Sequence, residues 1–181
     1  MVIWVTGLSA SGKTTLCKKF IKLYKKKITN LIFLDGDIVR DIFNNDLGFE
    51  KKDREKQISR IQSLSNFFEK QSFVVIVAAL YSSKNILKRN RTIFKNYVEV
   101  YLKSTINFLQ KREYKGLYKR AFNKEIKNVV GVDIPWHEPK NAHITFRCRT
   151  WHSSNNLLKQ SNTKKMSQII YKKVCSKMNI K

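Results

Sequence analysis

Acidic residues are scarce in this chain of 181 residues: 13 Asp and Glu stand against 37 Lys and Arg, a net charge of +24. Such an excess suits a polyanionic partner, whether nucleic acid, an acidic membrane face or a polyphosphate substrate. The lysines are scattered and do not form one stripe, and Lys, Asn and Ile are abundant together, as an AT-rich genome would give. No specific nucleic-acid partner is therefore expected, beyond weak non-specific binding at low salt. Cysteine is scarce too. Cys17, Cys148 and Cys175 show no CxxC spacing, which points to reduced thiols in a cytoplasmic protein. Cys17 falls one turn into a helix, on the side away from the glycine-rich motif, and is expected to serve packing. No apolar run is long enough to span a bilayer, so no membrane partner is expected. No signal peptide is expected either, because that motif begins at the seventh residue. Internal repeats and Gly/Ser linkers are missing. With 42% apolar residues spread over the whole length, one core and a single domain over residues 1–181 are expected.

What is present alternates between strands and helices. Val2 to Thr6 is a short apolar run that ends at Gly7 and reads as a buried strand. Lys13 to about Lys25 reads as a helix, with Leu16, Phe20 and Leu23 at helical spacing. Leu31 to Leu34 is a second strand. Asp53 to Lys70 is helical, with Ile58, Ile61, Leu64, Phe67 and Phe68 expected on one face. Phe73 to Leu80, the most apolar run, is expected as a central strand. Lys84 to Phe94 and Ile106 to Lys111 read as helices, and Tyr97 to Leu102 and Ala142 to Phe146 as further strands. Asn162 or Thr163 is expected to cap a last helix with Ile170, Val174 and Met178 on one face. The alternation implies an α/β fold of three layers, with a five-stranded parallel sheet covered on both faces. The stretch 112–139 is basic and carries two glycines and both prolines. It is expected to form a mobile lid outside the core. The polar tract from Trp151 to Gln160, inside a C-terminal extension of about 151–181, has no clear place.

The segment Gly7-Leu8-Ser9-Ala10-Ser11-Gly12-Lys13-Thr14 fits GxxxxGK[ST], the P-loop or Walker A pattern. It follows a strand and opens a helix, which is the context that gives the pattern its meaning. Its glycines let successive backbone N–H groups turn inward around an anion, and the helix N-terminus adds its dipole. Gly7, Ser9, Ala10, Ser11, Gly12, Lys13, Thr14 and Thr15 are thus the expected ATP site. Lys13 should reach the β- and γ-phosphates, and the Thr14 hydroxyl should ligate Mg2+. The second strand runs into Asp35-Gly36-Asp37, and carboxylates leaving a strand beside the P-loop face the ligand crevice. Asp35 is the candidate for organising Mg2+ and for accepting the acceptor hydroxyl's proton. Of the two aspartates, Asp37 is the better candidate for merely capping the next helix.

At this point the chain resembles the adenylyl-sulfate kinase family, which phosphorylates the 3′-hydroxyl of adenosine 5′-phosphosulfate. The resemblance runs from Val2 to about Phe146. It rests on Gly7 to Thr15, Leu34-Asp35-Gly36-Asp37 with Arg40, Leu47-Gly48-Phe49, Asp53-Arg54 and Arg60-Ile61. It continues in Val98-Glu99-Val100, in Lys115-Gly116-Leu117-Tyr118-Lys119 with Ala121, and in Gly131-Val132-Asp133 with Pro135, Glu138 and Pro139. The resemblance implies ATP and Mg2+ as cofactors, a nucleotide substrate, and roles by position. Asp35 and Lys13 would be catalytic. Arg40 and Arg54 would hold the acceptor's 5′ anion, since planar guanidinium forks suit phosphate and sulfate oxygens. Phe49 would stack on the acceptor's base, with Asp37 nearby. Lys115 and Lys119, with Arg112 and Arg120, would close over the substrates and exclude water. A homodimer is left open.

The departures from the family gather at the acceptor. Gln57 stands where the family has asparagine, and Tyr81 where it has a serine. Val129 replaces an aromatic that can form the second wall of a base sandwich, and Trp136 replaces a tyrosine. Losing a stacking wall is worth about 1–3 kcal/mol per base. One relative of the family, from bacterial capsule pathways, phosphorylates cytidine diphosphoramidate. That acceptor keeps a 5′ anion and carries a smaller base. Adenylyl sulfate, and with it sulfate assimilation, ranks just ahead of it. Two remoter readings are a small-molecule P-loop kinase, against which Phe49 and Lys115 argue, and a non-catalytic nucleic-acid-binding protein, against which Lys13, Thr14 and Asp35 argue.

Overall fold

The computed structural model of the chain describes residues 1–148 and 160–178. Strands β1 (Val2–Thr6), β2 (Leu31–Asp35), β3 (Val74–Ala79), β4 (Tyr97–Ser104) and β5 (Ile144–Cys148) form one sheet in the order β2-β3-β1-β4-β5. All its pairings are parallel. The helices are α1 (Lys13–Tyr24), α2 (Gly36–Ile42), α3 (Lys51–Lys70), α4 (Lys84–Ile93), α5 (Ile106–Arg112), α6 (Leu117–Phe122) and α7 (Gln160–Met178). Every residue of β1 and β3 is buried, as their unbroken apolar runs require of parallel strands covered on both faces. Alternation along each strand divides the core in two. Val2, Trp4, Val75 and Val77 join Ile58 and Ile61 of α3 on one face. Ile3, Val5 and Ile76 join Leu16 and Phe20 of α1 and Ile170 and Val174 of α7 on the other. The register aligns Thr6 with Ala79 and Asp35 with Ala78, so β1, β2 and β3 end level with one another. β1 lies where the strand order reverses, and ligands of such sheets sit outside the carboxyl ends at that switch point.

Four features differ from the sequence reading. Phe67 is 58% exposed, because nine residues from Ile58 is two and a half turns and leads to the opposite side of α3. Helix α7 already runs at Gln160, so Asn162 and Thr163 lie inside it and neither is its cap. The cap of α2 falls on Asp35 and not on Asp37: the Asp37 backbone N–H donates to Asp35 Oδ1 at 3.1 Å. The stretch 112–139 is not wholly outside the core, since Tyr118, Ala121, Val129, Val130 and Ile134 are buried in the same cluster as Trp4. Its basic residues mask Tyr118 and Ala121, which stand at helical spacing in α6. The polar tract expected from Trp151 lies outside the described residues as far as 159, and so does the end of the chain from 179. Among the described residues, no helix is long and apolar enough to cross a membrane.

Candidate active site

The P-loop joins β1 to α1. Lys13 Nζ donates to the carbonyls of Gly7 and Leu8, both at 2.9 Å. Ala10 and Gly12 adopt positive φ, 60° and 95°, which curls the loop on itself. Gly7 has no room for a side chain: a Cβ there would stand 2.8 Å from the Leu102 carbonyl oxygen and 2.7 Å from Ser11 Oγ. Gly7→Ala is therefore expected to destabilise the protein by about 1–3 kcal/mol through overpacking against β4 backbone. It should also weaken binding of a non-hydrolysable ATP analogue. Thermal unfolding and analogue titration check both, and an unchanged affinity would show that the loop tolerates the shift.

Thr14 and Asp35 meet at the head of this loop. Thr14 Oγ1 donates to Asp35 Oδ2 at 2.6 Å. Asp35 is buried, so one carboxylate serves two elements, capping α2 with one oxygen and receiving the P-loop hydroxyl with the other. Asp37 is exposed at the rim. Desolvation brings the Lys13 ammonium down to about 8, against the opposing charges of Asp35 and Asp37. Cys17 is fully buried behind the loop, and burial pushes its thiol up, which fits the packing role.

Beside the P-loop lies a cavity of about 430 Å3 whose lining includes Ser9, Asp37, Arg40, Phe49, Arg54 and Gln57. This is the size of ordinary small-ligand sites. Phe49 is exposed, and the guanidinium carbons of Arg40 and Arg54 lie 4.7 and 5.5 Å from its ring centroid. Backbone carbonyls fix both arginines. Arg40 donates to Leu47 O at 2.8 Å. Arg54 donates through Nε to Phe49 O at 2.8 Å and through NH2 to Asn128 O at 2.7 Å. The Arg54 pKa is lowered, first by desolvation and then by the charge of Arg40. Two like charges held together in a cleft are the electrostatic mark of a place for an anion.

Of the four residues that depart from the family, Gln57, Tyr81 and Val129 line this cavity, and Trp136 does not. Gln57 is buried and donates Nε2 to Gly36 O at 3.1 Å. Tyr81 is 3% exposed and its hydroxyl reaches Glu55 Oε1 at 3.4 Å. Val129 is held in a turn whose Asn128 and Val129 N–H groups both donate to the Asp133 carboxylate. The lid cations stand elsewhere. Lys115, Lys119 and Arg120 are exposed and outside the cavity lining, and Arg120 faces Glu125 at 3.7 Å. Arg112 is half-buried at the end of α5. Sequence reasoning missed Leu117, Ile126, Lys127 and Asn128, which do line the cavity. Asn128 at φ 66° is the kind of turn residue that could have marked this wall.

The chain is similar to known proteins in sequence and in fold. Residues 1–147 match the family model described as adenylylsulphate kinase. The adenylyl-sulfate kinase of Rippkaea orientalis is 38% identical over 150 residues, 83% of this chain and 82% of its own length. The cytidine diphosphoramidate kinase of Campylobacter jejuni is 39% identical over 149 residues, covering 82% and 87%. The structure of the Mycobacterium tuberculosis APS kinase CysC in complex with AMPPNP and APS superposes with a TM-score of 0.81 at 25% identity, covering 96% of each chain. Through this match and these identities, the chain belongs to the adenylyl-sulfate kinase family of P-loop phosphotransferases with a hydroxyl acceptor.

Proposed function

We propose that this chain transfers the γ-phosphate of ATP to the 3′-hydroxyl of a nucleotide bearing a 5′ phosphoanhydride-type anion, with adenylyl sulfate as the first-ranked acceptor. The observation that carries it is the adjacency of the Thr14–Asp35 pair to a cavity holding Arg40, Arg54 and Phe49. The P-loop, from Gly7 to Thr15, holds the donor phosphates, with Lys13 as the neutralising charge. Asp35 faces the acceptor hydroxyl and takes up its proton. Arg40 and Arg54 hold the 5′ anion, and Phe49 stacks on the base. Phosphoryl transfer needs alignment and charge neutralisation more than covalent help, and these residues provide both.

The pairing of one hydroxyl with one carboxylate fits Mg2+, which binds through few protein oxygens together with substrate phosphates. Thr14 and Asp35 would hold it, and it would supply neutralisation of the β- and γ-phosphate charge. The basic stretch 112–139 acts as the lid: Leu117, Lys127 and Val129 already border the cavity, and the long side chains of Lys115, Lys119 and Arg120 reach over the bound substrates from α6, which stays anchored, and from the turn before it.

A second reading, cytidine diphosphoramidate as acceptor, is supported by the relative at 39% identity and by Gln57, Tyr81 and Val129, which change the acceptor side alone. Coupled ADP release across adenylyl sulfate, cytidine diphosphoramidate, simpler nucleotides, shikimate and sugars decides between them. The proposal expects turnover with one of the two 5′-substituted nucleotides far above the rest. Turnover of a non-nucleotide, or of none, would overturn it.

A further inference from the structure

We propose that Tyr118 is a positioning residue for the donor: its hydroxyl holds the P-loop open to phosphate and ties the lid helix α6 to it. Three consecutive carbonyls of the loop each have a donor. Lys13 Nζ takes those of Gly7 and Leu8, and the Tyr118 hydroxyl takes that of Ser9 at 3.1 Å, across 109 residues of sequence. In a planar trans peptide the carbonyl and the following N–H point in opposite directions. The donors that hold these carbonyls therefore also fix which way the N–H groups of Leu8, Ser9 and Ala10 point, the orientation on which an anion-binding nest depends. When Lys13 turns to the phosphates, its hold on Gly7 and Leu8 is exchanged, whereas the hold of Tyr118 on Ser9 is not.

The anchor is firm. Tyr118 is wholly buried, with its ring in the core cluster. A phenylalanine would fill that volume equally well, so the hydroxyl needs a purpose of its own, and the Ser9 carbonyl is its partner. Its neighbour Leu117 lines the acceptor cavity, as does Ser9. One short helix thus has one side chain on the acceptor's wall and the next on the donor's loop.

Tyr118→Phe tests this, because it removes a single oxygen and keeps the ring. Two quantities are compared with wild type well below the unfolding midpoint: the Kd for AMPPNP, and the KM for the nucleotide acceptor at saturating ATP. The proposal rests on ATP as donor and not on the acceptor's identity. Wild-type affinity for AMPPNP reports on the donor reading, and the variant-to-wild-type ratio reports on Tyr118. AMPPNP affinity is expected to fall about three- to tenfold, the range for one lost hydrogen bond, while the acceptor KM stays within about twofold. A purely structural role would leave both unchanged or loosen both alike, and either result overturns the proposal.

Discussion

Asp35→Asn is expected to lower kcat by about 10³-fold, within the range for losing a positioned base and its charge, while the protein stays folded. The reasons follow from the two bonds of this side chain. An asparagine keeps one carbonyl oxygen in the cap position, so it can still receive the Asp37 N–H that starts α2; asparagine caps helices as well as aspartate does. It is also isosteric, so the buried contact with Thr14 survives in shape. The negative charge does not survive, and with it go the capacity to accept the acceptor's proton and the partner for Mg2+ beside Thr14. The loss therefore falls on kcat, with circular dichroism and thermal midpoint near wild type and AMPPNP still bound. A folded Asp35→Asn enzyme with kcat within about tenfold of wild type would remove Asp35 from the chemistry and leave it only its cap.

The donor half was legible in the sequence because it is contiguous. A strand, a glycine-rich turn and a helix follow one another from Val2 to Tyr24, and the spacing of Gly7, Gly12, Lys13 and Thr14 carries its own geometry. Asp35 could be placed because strand ends in a parallel sheet face the same crevice. The cavity proposed for the acceptor is assembled from separate segments at 40, 49, 54, 57, 81 and 129, and only a family resemblance could gather them. Lys127 and Asn128 escaped because a stretch crowded with basic residues reads as solvated loop, although Tyr118 and Ile134 inside it are core. Position 35 shows another limit. Composition can name a capping residue, but which of two nearby aspartates caps depends on where the helix starts: Asp35 is still extended, at φ −101° and ψ 139°, and α2 begins at Gly36. The contact between Tyr118 and Ser9 spans 109 residues, and no local pattern announces it.

Arg54→Ala is expected to lower kcat/KM for the nucleotide acceptor by about 10²-fold or more, the scale of losing charged hydrogen bonds, while KM for ATP moves by no more than a few-fold. Two losses coincide at this residue. The first is one of the two guanidiniums facing the cavity, so the 5′ anion keeps Arg40 alone. The second is a tie. Arg54 joins the Phe49 carbonyl on one side of the crevice to the Asn128 carbonyl on the other, and its head lies 5.5 Å from the Phe49 ring. Without it, the Phe49 ring and the turn bearing Val129 lose their common support, and both line the cavity proposed for the acceptor. Arg54→Lys separates the two effects. A lysine restores a charge for the anion, but a single ammonium on a flexible stem does not reproduce the planar fork that reaches two carbonyls and covers a ring. Partial rescue is expected, with KM for the acceptor between wild type and alanine. Full rescue would reduce the role of Arg54 to charge alone. Equal losses for ATP and acceptor in the alanine variant would mean that the two halves of the crevice are not separable at this residue. None of its contacts reaches the P-loop, whose loop carbonyls bond to Lys13 and Tyr118, so the donor should be held as before.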